Sequence, residues 1–161
     1  MLRANTVCVA RARVLSLILL HSAQRCQLRC RASAANMALP TLELNVLGAP
    51  LMKCCSSPPT GFFRDGTCCT GPSDHGRHVV CAQVTDAFLQ FSLSRGNDLI
   101  TPRPEYAFPG LKQGSKWCLC ASRWTEALEA GCAPPVILSA CSEAALKYTT
   151  LNALMQHAVP E

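Results

Sequence analysis

Acidic residues are absent from the first 36 positions, which hold six arginines instead (Arg3, Arg11, Arg13, Arg25, Arg29 and Arg31). An arginine-rich, acid-free start with scattered Ser, Ala and Thr reads as an organelle transit peptide over residues 1–36, disordered and outside the fold. Long apolar runs are missing as well. Val14 to Leu20 is far too short to span a bilayer. That run before Ser22-Ala23 is also the basis of a rival reading as a secretory signal. Arginines on both sides of it, and an odd count of nine cysteines after the leader, argue against secretion. The stretch Cys30-Arg31-Ala32-Ser33-Ala34-Ala35 resembles the ends of algal and plant plastid leaders. Plastid import is therefore favoured, mitochondrial import comes next, and a cytoplasmic protein follows if Met37 is the true start.

A basic face is the next absence. The formal charge is +5, but from Met37 onward nine Lys/Arg stand against ten Asp/Glu. A nearly neutral body has no broad field to hold a polyanion, which argues against nucleic acid as a partner. The chain also has no P-loop, no G-x-G-x-x-G, no G-x-S-x-G and no H-E-x-x-H, so the best-marked enzyme classes drop out. Neither a C-x-x-C redox pair nor the paired knuckles of a structural zinc site is present.

What is present is a long irregular path from Ser94 to Cys120, rich in proline, arginine and apolar anchors. Arg95 to Lys116 is a loop of about two dozen residues, well past the roughly 12–15 residues at which unstructured connections become uncommon and usually functional. Ile100, Tyr106, Phe108 and Leu111 are expected to anchor it. Before it, Leu42, Leu44 and Val46 alternate as a short strand. His78–Val84 is a valine-rich strand, Thr85 or Asp86 caps a helix through Leu93, and Gly96 suits its left-handed end. After it come a strand over Lys116–Ala121, a helix over Arg123–Ala130, an apolar strand Val136-Ile137-Leu138, a helix from Ser142, and a last helix capped by Thr149 or Thr150. This order predicts one α+β domain over residues 40–159, a small mixed sheet with three to four helices, with α/β as the fallback.

Two sets of residues could carry chemistry. Cys118 and Cys120, at i and i+2, share one face of a strand. With Cys68 and Cys81 they are the candidates for a metal ion or a thiol site, the alternative being buried thiols in a reducing compartment. The second set is polar. Arg64, Arg95, Arg103 and Glu105 are candidates to bind a small anionic ligand, since guanidinium forks grip carboxylates and phosphates. Asp65, Arg95, Asn97, Asp98 and Arg123 are candidates for catalysis. Against this stands internal pairing: Asp65 holding turn amides, and Arg and Asp pinning the loop to itself. A lone histidine such as His75, His78 or His157 is more often a surface or capping residue than a ligand. The loop 95–116 and the Cys118/Cys120 strand thus frame either a small-ligand or thiol/metal site, or a non-enzymatic docking module that would display Tyr106 and Phe108.

Taken together, Asn45-Val46-Leu47-Gly48, Thr60-Gly61-Phe62-Phe63-Arg64-Asp65-Gly66, Arg95-Gly96-Asn97-Asp98-Leu99, Phe108-Pro109-Gly110-Leu111, Trp117-Cys118-Leu119-Cys120 and Ala133-Pro134-Pro135-Val136 resemble one family. It is the domain of unknown function family 2237, a bacterial family also found in algae and plants. The resemblance spans about residues 45–158. It implies a bacterial-type body carrying an added leader, and implies no activity. Phe63 stands where the family resemblance leads to Tyr, so a phenol there is not essential. Cys54, Cys68, Cys81, Cys118 and Cys120 fall on its motif positions; Cys55, Cys69, Cys132 and Cys141 do not.

Overall fold

The valine-rich segment does form a strand, β1 (Val80–Gln83), and its partner is β2 (Lys116–Leu119). They pair antiparallel, with Val80 opposite Leu119 and Cys81 opposite Cys118. The computed structural model describes residues 42–160. The transit-peptide reading of residues 1–36 and the domain start at residue 40 lie outside the described residues.

Irregular segments, rather than further strands, satisfy the ladder's edges. The Thr60 hydroxyl accepts from the Cys118 amide at 2.8 Å. Across β1, Gln83 N–H donates to the Pro135 carbonyl at 2.8 Å and Ile137 N–H to the Cys81 carbonyl at 2.9 Å. The expected strand at Val136–Leu138 shrinks to one residue, Val136, bridged antiparallel to Ala82 and parallel to Ala158. Pro134 and Pro135 have no amide to give a ladder, and from Leu138 the chain tightens into a 3-10 turn, Leu138–Ala140. The expected strand at 42–46 turns back instead, because the Asn45 side chain accepts the Leu47 and Ala49 amides at 2.9 and 3.1 Å.

Among the described residues three α-helices pack around the ladder: α1 (Asp86–Ser94), α2 (Ala121–Glu129) and α3 (Leu151–Gln156). Thr85 and Thr150 cap α1 and α3 through their hydroxyls, and Gly96 takes a φ of 76° just past α1. The helix expected from Ser142 is a 3-10 turn, Glu143–Lys147. The domain is thus α+β, as its sequence predicts. Val79, Val80, Val84, Phe88, Trp124, Val136 and Leu154 form its fully buried centre. Each such side chain withdrawn from water contributes about 1.5–3 kcal/mol. Among the described residues no helix is long and apolar enough to cross a membrane.

Two disulfides that join described residues to one another reinforce this core, where the sequence reading expected thiols. Cys54 joins Cys81 with Cα atoms 5.7 Å apart, and Cys68 joins Cys118 at 5.4 Å. Cys81 and Cys118 face each other across the ladder, yet each bonds to a loop cysteine laid over it. The staples close 27 and 50 residues of sequence, fixing the 54–68 loop to the sheet.

Candidate functional site

The loop between α1 and β2 is ordered, with a single 3-10 turn at Pro104–Tyr106. A pinch closes it, with Arg103 N–H donating to the Phe108 carbonyl at 2.7 Å and Phe108 N–H returning to Arg103 at 3.0 Å. Phe108 and Leu111 are buried beneath it. Tyr106, expected as a third anchor, is 71% exposed, because the 3-10 turn lifts it away from the core.

Under the loop lies a cavity of about 410 Å³. Its walls combine rings (Phe62, Tyr106, Phe108, Trp117) with Arg64, Arg103, His78 and Asp98, and Cys118 also reaches it. Arg64 sits at a left-handed φ of 56°, and its guanidinium lies 5.0 Å from the centre of the Trp117 ring, a cation–π contact. Phe108 meets the same ring at 5.2 Å. Asp98 accepts the Ile100 and Thr101 amides, both at 2.9 Å, and stands 4.0 Å from Arg103. Hydrogen bonds from Thr101 and then Ile100 hold its carboxyl below the usual range. It is therefore an anion that half-pairs Arg103 and fixes the loop.

The other polar candidates lie outside the cavity wall. Arg95 and Arg123 both engage Glu126, at 2.6 and 3.0 Å, and form a separate cluster at the surface of α2. Asn97 donates to the Ser92 hydroxyl at 2.9 Å and closes the end of α1. Asp65 accepts the Thr67 amide and hydroxyl at 2.9 and 2.6 Å, a turn clasp. Glu105 is exposed on the 3-10 turn. Of the ligand-binding candidates, Arg64 and Arg103 face the cavity; of the catalytic candidates, Asp98 does.

The four candidate metal cysteines divide. Cys68 and Cys118 share one disulfide, and Cys81 is bound to Cys54 in the other. The sulfurs of Cys54, Cys68 and Cys118 lie within 4.8 Å of one another. As disulfides they offer no thiolate to an ion, and a metal-binding form would be the reduced one. Cys120 stays free, and its sulfur lies 3.4 Å from Nε2 of His78.

His78 is the residue that sequence reasoning passed over. Its Nδ1 is 2.7 Å from Oδ1 of Asp74. Asp74 is fully buried, and its other oxygen accepts the His78 amide at 2.8 Å and the Thr70 hydroxyl at 3.0 Å. Burial alone would raise the Asp74 carboxyl, but these bonds from His78 and Thr70 hold it below its ordinary value. The hydrogen bond to Cys120, ahead of Asp74, pushes His78 up to about 9. Phe62 stacks over the imidazole at 6.1 Å. The sequence did carry a signal: Asp74 and His78 stand four apart around Gly76-Arg77, a spacing that lets one carboxylate clasp both the backbone and the ring of the same histidine.

The fold and site define a small α+β domain with an aromatic, arginine-lined cleft beside a Cys–His–Asp arrangement. The chain belongs to the family described as an uncharacterized protein conserved in bacteria (DUF2237), which it matches over residues 44–158. No curated protein matches the chain.

Proposed function

We propose that the cleft under the 95–116 loop binds a small anionic ligand with a flat apolar part. The observation that carries this reading is the pairing of two guanidiniums, Arg64 and Arg103, with four rings around about 410 Å³. That volume falls in the range of about 300–1,000 Å³ typical of small-molecule sites. A carboxylate or phosphate would bridge the guanidiniums, while Trp117 and Phe108 hold the planar body. Phe108 is buried in the wall, and Tyr106, though largely exposed, lines the same cavity. This favours a small ligand over a docked protein.

Calorimetric titration with benzoate and phenyl phosphate tests the reading, with benzyl alcohol as the neutral control. Both anions are expected to bind more tightly than the alcohol. Arg64→Ala or Arg103→Ala should weaken them about tenfold, or about 1.4 kcal/mol. If the anions bind no better than the alcohol, or the variants bind them as well as the parent, the cleft is not an anion site.

A further inference from the structure

We propose that Cys120 is the nucleophile of an acyl-transfer site, with His78 as its acid–base partner and Asp74 positioning His78, acting on a small anionic ester or thioester. The substrate's charge rests on the anion-binding reading of the cleft; the nucleophile does not.

Cys120 occupies the N-cap position of α2, where Ser, Thr, Asp or Asn would close the helix. Its side chain makes no capping bond and turns to His78 instead. A position that forgoes a standard stabilising contact marks a functional constraint. The sulfur is thereby set between the start of α2 and the imidazole of His78, 3.4 Å from Nε2. One ring nitrogen faces Asp74 and the other the sulfur, and these two contacts, the sulfur's first, raise the His78 value.

Three features hold the trio in place. Arg77, at a left-handed φ of 53°, uses its carbonyl to accept the Ala121 amide at 3.0 Å. This ties the 74–78 loop to the start of α2. Its guanidinium donates to the Gly71 carbonyl at 2.7 Å and closes the loop on itself. Gly76 packs so closely that a Cβ there would fall 2.9 Å from the imidazole and 3.0 Å from the Cys120 sulfur. His78 is the member of the trio that lines the cleft, with the half-buried sulfur one hydrogen bond beyond. The other free thiols differ. Cys141 is buried and pushed up to about 12 by desolvation, and Cys55 donates to the Ser57 carbonyl at 3.3 Å.

The chemistry closes with water as co-reactant. The Cys120 sulfur attacks the carbonyl carbon and a C–S bond forms. The bond to the leaving alcohol or thiol breaks, and its electron pair leaves with that group, which takes the proton from His78 Nε2. Neutral His78 then draws a proton from water as the water oxygen bonds to the carbonyl carbon. The C–S bond breaks, its electrons return to sulfur, and the free acid departs.

Timed alkylation of the full chain at pH 7, read by peptide mass spectrometry, tests the nucleophile. Iodoacetamide should modify Cys120 about tenfold faster than Cys55 or Cys132 in the same molecules. His78→Gln should bring Cys120 down to their rate. Asp74→Asn should shift the pH–rate profile of Cys120, which a merely structural carboxylate would not do. 4-Nitrophenyl hemisuccinate should give a burst of one nitrophenolate per chain with a succinyl adduct on Cys120, absent in Cys120→Ser. A Cys120 that reacts no faster than Cys55 in the parent protein overturns the proposal, and so does a burst with no adduct on Cys120. Iodoacetate reports separately: a fast Cys120 with no preference for iodoacetate over iodoacetamide supports the nucleophile and removes the anionic cleft.

Discussion

The ladder interior and the cleft beside it draw on the same residue type and treat it oppositely. Cys118 faces the buried side of β2, fully buried and bound to Cys68. Two residues on, Cys120 has left the strand for the cap of α2 and meets an imidazole instead of a second sulfur. The sulfurs of Cys54, Cys68, Cys81 and Cys118 hold loops to the sheet, whereas the rim sulfur of Cys120 meets a polar, charged setting. Arginines divide in the same way. Arg95 and Arg123 are occupied by Glu126, while Arg64 rests on a ring in the cleft wall. Sulfurs bonded into the core and the cleft's polar side chains are therefore laid out side by side, and neighbouring positions in sequence fall on opposite sides of the line.

The largest test of this division is at the sulfurs. Removing the interior pair with Cys68→Ala and Cys118→Ala together releases a 50-residue closure. Urea unfolding should show a loss of about 4 kcal/mol from chain entropy. Cys120→Ser, on the rim, should lose less than about 1 kcal/mol. Equal losses would erase the distinction between the regions.

A smaller effect is expected with pH. His78 is raised to about 9 from the ordinary 6.5. A raised histidine stabilises the fold fully below its unfolded value, and that contribution is lost as pH rises through about 9. Thermal unfolding followed from pH 6 to 10 should show this decline in the parent chain and a flatter profile in His78→Gln. The Asp74 contribution runs the other way, present above pH 3.8 and lost as the pH falls through its lowered value. The smallest change belongs to the paired arginines. Glu126→Gln frees Arg95 and Arg123 at an exposed site, so the loss in thermal unfolding should be smaller than either of the others and vanish in high salt.

Much of the framework was legible in the sequence. The valine run became β1, Thr85 capped α1, Gly96 took a left-handed turn, and the long loop proved ordered over a cavity. Where regular elements were expected at 42–46, 136–138 and from 142, side-chain clasps and prolines won over periodicity: Asn45 drew the chain into a turn, and Pro134-Pro135 withheld amides. The disulfides were hidden for a different reason. Cys54 and Cys68 sit on loops, and loop placement depends on tertiary contacts that spacing does not record. His78 was undervalued because its partners are 4 and 42 residues away in sequence.

By itself the sequence determined β1, β2, the three α-helices and the family, since hydrophobic period, caps and turn residues act over a few neighbours. Only the tertiary structure decided which sulfurs bond, which arginines are already paired, and that an aspartate, a histidine and a cysteine converge. Those outcomes depend on distances of a few ångströms between segments far apart along the chain, and local preference does not fix such distances.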